Sequence, residues 1–99
     1  MMLRRRRFRD VIERQFDLFE REHADEIAET QKRLHAYNAA ERDEAEELYG
    51  DYADSVDWVK DLLEEVRDAY SRTLDDNTRD AYGREFERML GKRWPRVAF

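Results

Sequence analysis

The chain has 99 residues, 44% of them charged, and its 25 acidic and 19 basic side chains give a net charge of −6. This length allows a single domain, 1–99. The absence of cysteine excludes disulfide scaffolds, thiolate nucleophiles and Cys-ligated metal sites. No apolar run reaches the roughly 18 residues of a membrane span, and no apolar signal segment follows the N-terminal arginines. We therefore expect a cytoplasmic protein without a membrane span.

The first apolar stripe predicts a long helix over about residues 7–37. Its members recur at steps of three, four and seven residues, which keep side chains on one face of a helix. They are Phe8, Ile12, Phe16, Phe19, His23, Ile27, Leu34 and Tyr37. Val11 and Leu18 widen this stripe on one side, as expected where a further helix or a second subunit covers it.

A second stripe predicts another long helix over about residues 39–75. It consists of Leu48, Tyr52, Val56, Val59, Leu63, Val66, Tyr70 and Leu74. Trp58 and Leu62 widen it as Val11 and Leu18 widen the first stripe. The two helices together predict an antiparallel hairpin.

Two positions are candidates for the hairpin turn. Asn38 has Glu41 three residues later, which is the spacing of a capping box, whereas Gly50 is suited to end a helix. Folding at Asn38 sets Ile27 against Leu48 and pairs the two stripes along their length. Because burial of an apolar face supplies most of the stability of a helix in a protein, this pairing favours Asn38.

The last stripe predicts a short third helix over about residues 78–90, with Thr78 as its N-cap. Gly91 suits the position after a helix and Pro95 cannot continue one, so we expect residues 91–99 to form a non-helical tail. The apolar members of this helix are Tyr82, Phe86 and Leu90. The predicted fold class is all-α, a long helical hairpin with a short third helix, as a three-helix bundle or a dimeric bundle.

Charge is distributed unevenly along the chain. Residues 1–9 carry five arginines and no acid, residues 79–99 carry six basic and three acidic side chains, and residues 10–78 keep a net charge of −14. In the hairpin both basic segments lie toward the open end, while the closed end around residues 41–54 is acidic. Arginines at the start of a helix oppose its dipole, so residues 1–7 are expected to fray or to bind an anion.

The basic N-terminal end suggests an alternative function, the binding of nucleic acid or another anion. The candidate residues are Arg4, Arg5, Arg6, Arg7 and Arg9. However, a sequence pI of about 5.0 and an acidic body would repel a polyanion. No aromatic side chain alternates with the arginines to stack on bases, so nucleic acid is the disfavoured partner.

Glu20 and His23 suggest a second alternative, a metal site. A Glu-x-x-His step puts a carboxylate and an imidazole on one face of a helix, as in ferritin-like carboxylate bundles. Such a site needs two of these motifs, so only a dimer could complete it here. The competing interpretation is that His23, between Phe19 and Ile27 on the stripe, is a core or interface histidine. We predict no cofactor.

A non-enzymatic role is favoured because no catalytic or nucleotide-binding motif is found. A small helical core is marginal by itself, and Trp, Tyr and Arg dominate interface energetics. We therefore predict a small acidic module for protein–protein interaction or assembly, whose partner is another protein or a second copy in a homodimer. The candidate interface residues are Val11, Leu18, Trp58, Leu62, Trp94 and Phe99.

Overall fold

The computed structural model describes the backbone of residues 2–95 and the side chains of residues 7–95. Over this range the protein is all-helical, as predicted, but it has four helices rather than three. They form an elongated body of 51 × 24 × 19 Å. The helices are α1 (Met2–Glu22), α2 (Ala24–Asn38), α3 (Ala45–Ser71) and α4 (Asp76–Arg93).

The predicted first helix, 7–37, is interrupted at a single residue, His23. Its backbone angles, φ −118° and ψ 31°, are not helical. Its N–H nevertheless donates to the carbonyl of Phe19 at 2.8 Å, and its carbonyl accepts from the N–H of Ile27 at 3.0 Å. Because these hydrogen bonds bridge the break, α1 and α2 follow one another as two parts of one rod.

The chain reverses after Asn38, and the alternative turn at Gly50 is wrong because Gly50 lies inside α3. α3 begins at Ala45 rather than at residue 39, and no side chain caps its first turn. A reversal at one residue cannot join two helices whose axes lie about 8–10 Å apart. Residues 39–44 make this connection through successive tight turns.

This longer turn shifts the register of the hairpin. The Nη1 of Arg33 donates to the backbone carbonyl of Asp51 at 3.0 Å. The predicted pairing of Ile27 with Leu48 is therefore wrong by roughly three helical turns. Ile27 instead lines the same cavity as Val59.

The core lies where α4 packs against α1 and α3. Phe16 meets Phe86 edge to face with 5.2 Å between ring centroids, and Phe8 meets Tyr82 in the same way at 5.5 Å. In this geometry the positive edge of one ring faces the negative face of the other. The Tyr82 hydroxyl donates to Oε1 of Gln15 at 2.9 Å. The side chains with the least exposure are Ile12, Phe16, Phe19, Leu63, Tyr82, Phe86 and Leu90.

Helix limits near both basic segments differ from the prediction. The backbone of α1 is helical from Met2 rather than from about residue 7, and fraying of residues 1–7 stays a prediction. α3 ends at Ser71 rather than at residue 75. The N-cap of α4 is Asp75 and not Thr78, because the Asp75 carboxylate accepts a hydrogen bond from the N–H of Thr78 at 2.8 Å. This hydrogen bond is the main reason why the pKa of Asp75 is lowered.

α4 also extends further than residue 90. Gly91 lies inside the helix, which continues to Arg93, so residues 91–93 of the predicted non-helical tail are helical, while residues 96–99 lie outside the described residues. Pro95 explains this limit, because a proline disfavours helical backbone at the residue before it. Lysine and arginine in the last turn also suit the negative end of the helix dipole.

Alanine in place of Gly50 or Gly91 should stabilise the protein. Both glycines are helical without a positive φ, and an added Cβ would meet no atom within 4 Å. Each substitution should raise the free energy of unfolding by about 0.5–1 kcal/mol, the preference of helices for alanine over glycine. Urea titration measures this change. If either glycine instead had a positive φ in a cap or a turn, alanine there would lower the free energy of unfolding. A decrease would therefore contradict the helical assignment.

Stability at alkaline pH should depend on Tyr82. Burial raises the pKa of its hydroxyl from 10.0 to about 12, and the hydrogen bond to Gln15 opposes this only in part. The unfolded chain loses this proton first, so the contribution of Tyr82 is complete below pH 10.0 and is lost as the pH rises to about 12. Tyr82→Phe should therefore flatten the pH dependence of the free energy of unfolding in this interval. Tyr49→Phe, at an exposed tyrosine, is the control, and equal slopes for wild type and Tyr82→Phe would contradict the prediction.

Candidate functional site

α3 presents apolar side chains on two opposite sides. Residues two positions apart on a helix differ in direction by about 200°, so Val56 and Trp58 point to opposite sides. α4 lies on the Val56 side, where Arg67 of α3 reaches Glu87 of α4 at 3.8 Å. Each side of α3 carries one candidate surface. We call the surface on the α4 side the groove and the surface on the other side the seam.

The groove is an apolar cavity of about 270 Å³ between α2 and α3. It begins where α4 ends and runs toward the α2–α3 turn. Its walls come from the apolar stripes of the hairpin, which α4 does not reach beyond Arg93. The apolar side chains that line it are Ile27, Leu34, Tyr52, Val56, Val59 and Trp94.

Arg93 holds the end of α4 at the start of the groove. Its Nε donates to Oε1 of Glu20 at 3.0 Å and its Nη2 donates to Oδ1 of Asp17 at 2.8 Å. Burial opposes the charged form of Arg93, but these carboxylates outweigh that effect and raise its pKa. The guanidinium also lies 5.7 Å from the ring centroid of Phe16 and 5.1 Å from that of Trp94, within the range of cation–π attraction. The last turn of α4 is thus tied to α1.

The seam consists of Leu18 on α1 and of Trp58 and Leu62 on α3. Trp58 is 57% exposed and Leu18 is 50% exposed, while Leu62 is partly buried against the core. Leu18 points away from α4, because Asp17 and Glu20 occupy the side of α1 that binds the last turn of α4. The seam is therefore an apolar surface that no helix in the described part of the chain covers.

The other predicted interface residues have different positions. Val11 is half-buried and lies two helical turns before Leu18 on the same side of α1. Trp94 packs against Phe16 with 5.0 Å between ring centroids and belongs to the groove rather than to the seam. Phe99 lies outside the described residues.

The structure does not bring the predicted metal ligands together. Glu20 binds Arg93, whereas Nδ1 of His23 lies 2.7 Å from Oε2 of Glu26 and lowers the pKa of that carboxyl through this hydrogen bond. The imidazole also packs on the ring of Phe19 at 4.7 Å. Among the described side chains, no group of three or more His, Cys, Asp or Glu residues is placed to hold a metal ion. His23 is thus a half-buried histidine with protein partners.

Of the predicted anion-binding residues, the described side chains include Arg7 and Arg9. Both are exposed. The Arg7 guanidinium lies 5.4 Å from the ring centroid of Phe8, and Nε of Arg9 donates to Oε1 of Glu13 at 3.3 Å. The side chains of residues 4–6 lie outside the described part. Arg7 lies beside the start of α4, at the far end of the molecule from the α2–α3 turn. Anion binding at this end stays a prediction.

The groove is the surface that the sequence prediction missed. Ile27, Leu34, Tyr52 and Val56 belong to the predicted stripes, and a stripe position is normally a core position. The third stripe could have indicated the groove. Its few apolar positions span a helix that is too short to cover the whole hairpin. The shifted register then decides which part of the hairpin stays uncovered.

Comparison of the chain with protein-family models, with curated proteins and with solved structures finds no match. None of the helices in residues 2–95 has both the length and the hydropathy that crossing a membrane requires. Function is therefore inferred from the geometry of the described residues.

Arg93→Gln should loosen Trp94 at the start of the groove. Glutamine lacks the charge and the planar fork that reach both Asp17 and Glu20. Because partly exposed ion pairs contribute at most about 1 kcal/mol, we expect a small loss of stability but a clear change around Trp94. The measurement is tryptophan fluorescence and near-ultraviolet circular dichroism in a Trp58→Phe background.

Arg84→Gln, at an exposed arginine of the same helix, is the matched control and should leave the Trp94 signal unchanged. If Arg93→Gln and Arg84→Gln give the same spectra as the parent, Arg93 does not position Trp94.

Proposed function

We propose that this protein is a non-enzymatic helical association module that forms a homodimer in the cytoplasm through the seam. The observation that carries this proposal is the exposure of Trp58 and Leu18 on one side of the molecule. Leu62 lies one turn after Trp58, toward the level of Leu18. Single exposed apolar residues are ordinary, so the proposal depends on Trp58 and Leu18 being exposed on the same side. Tryptophan is also the residue type most enriched at the centre of interfaces.

Charge favours an antiparallel pair of copies. Residues 1–9 carry five arginines, whereas residues 41–54 at the opposite end carry seven acidic side chains and one basic side chain. By helical rise, Leu18 lies about 24 Å from the start of α1 and Trp58 about 20 Å from the start of α3, so the seam is near the middle of the molecule. A two-fold axis through the seam and perpendicular to the long axis therefore places the basic end of one copy beside the acidic end of the other.

The double variant Leu18→Gln/Trp58→Gln should weaken self-association by at least about tenfold, since exposed apolar anchors at an interface centre each contribute more than 1 kcal/mol. Sedimentation velocity over a concentration series measures the dissociation constant. Tyr49→Gln is the matched control, because Tyr49 is 53% exposed and lies nine residues before Trp58, on the opposite side of α3. It should leave the dissociation constant unchanged.

A native chain that sediments as a monomer up to high micromolar concentration, with a stability independent of dilution, would overturn the proposal. The salt dependence of self-association tests the antiparallel orientation separately from the homodimer itself. Association that weakens when salt is added supports the antiparallel arrangement, because added ions screen exposed charges. Association through the seam that is indifferent to salt keeps the homodimer and contradicts its antiparallel orientation.

A further inference from the structure

The groove is the continuation of the core beyond the end of α4. As far as Leu90, the hairpin has α4 over it, and the apolar side chains that face α4 are buried or partly buried. Beyond Trp94 the same stripes go on toward the α2–α3 turn without a third layer among the described residues. A cavity of about 270 Å³ with this lining offers water few hydrogen-bond partners. An apolar occupant is therefore favoured over water.

The chain itself arrives at one end of this groove. α4 runs in the same direction as α1, since Phe8 contacts Tyr82 and Asp17 contacts Arg93. It therefore points toward the α2–α3 turn. Trp94, with φ −135° and ψ 76°, leaves the helix, and Pro95 already lines the groove. Residues that follow Pro95 start where the uncovered stripes start.

The four residues that follow Pro95 are long enough to span the groove. On α2 the lining extends from Ile27 to Leu34, which at the helical rise is about 10 Å. Four residues in extended conformation span about 13 Å. Residues 96–99 are thus long enough to follow the groove from Pro95 to its other end.

The residue pattern of this segment also suits the groove. In an extended chain, alternate side chains share a face, so Val97 and Phe99 lie on one face and Arg96 and Ala98 on the other. The apolar face matches the lining of the groove.

We propose that residues 96–99 bind along the groove of their own chain and bury Val97 and Phe99 between α2 and α3. The segment replaces the third helix where α4 has ended, and Trp94 and Pro95 set its direction. The groove is then an intramolecular binding site whose ligand is a short extended apolar segment. It is separate from the seam, which lies on the opposite side of α3.

Nuclear magnetic resonance tests this contact directly. The sample is the full chain with Leu18→Gln/Trp58→Gln, which keeps the groove and removes the seam. We expect nuclear Overhauser effects between the Phe99 ring and the methyl groups of Leu34 and Val56. Because the contact is intramolecular, their intensity should not change with dilution.

A matched pair of variants tests whether residues 96–99 stabilise the part of α2 that lines the groove. Val97→Ser/Phe99→Ser should speed amide hydrogen exchange in residues 27–34 by about tenfold, the factor expected from exposing one apolar side chain. Arg96→Gln/Ala98→Ser changes the other face of the same segment and should leave the exchange rates unchanged.

Two results would overturn the proposal. One is the absence of Phe99 contacts together with equal exchange rates in both variants, which means that the groove is not occupied by this segment. The other is Phe99 contacts that appear only between differently labelled copies, which means that a second copy fills the groove. Sedimentation of the Val97→Ser/Phe99→Ser chain distinguishes these failures from failure of the seam homodimer, since that dimer should persist without the segment.

Discussion

Phe16 meets both Phe86 and Trp94 edge to face, at 5.2 and 5.0 Å between ring centroids. This aromatic contact is what joins α4 to α1 and thereby converts a two-helix rod into a body with an interior. Arg93 reinforces it with hydrogen bonds to Asp17 and Glu20. Aromatic side chains bury the largest areas of any residue type, so a small helical domain depends on a few of them.

The end of α4 also determines which apolar side chains stay uncovered. Where α4 is present, the stripes of α1 and α3 are enclosed, and Leu63 and Leu90 have no exposed surface. Where it is absent, the same kind of stripe becomes the groove. The seam has another origin, because α4 occupies one side of α3 and leaves Trp58 on the other. Two apolar surfaces therefore result from one short helix placed on a longer hairpin.

Most of the charged side chains take no part in the contacts between α4 and α1. Pairs such as Arg33 with Glu29 join side chains within one helix and are exposed, so each adds little to stability. Arg93 differs, because it joins two helices and contacts aromatic rings as well as carboxylates. The uneven distribution of charge bears on the proposed antiparallel association, because charged ends of opposite sign steer one molecule relative to another.

The fold class could be predicted because apolar residues at steps of three and four share a face only in a helix. Such helices pack together to bury that face. The turn after Asn38 follows from the same rule, because only that reversal lets the two stripes face each other. Helix limits were predicted less well. Asp75 and Thr78 are both good capping residues, and the choice between them depends on which backbone N–H groups the packed helix leaves free.

What the sequence by itself determined is therefore local: the helical period, the side of each helix that is apolar and the uneven distribution of charge along the chain. Tertiary structure alone decided the register of α2 against α3 and the partners of Arg93. These features depend on contacts between residues that are distant in sequence, and periodicity carries no information about which stripe meets which. A six-residue turn instead of a one-residue turn was enough to move Ile27 from Leu48 to the level of Val59. That shift, together with the end of α4 before Pro95, left predicted core residues uncovered as the lining of the groove.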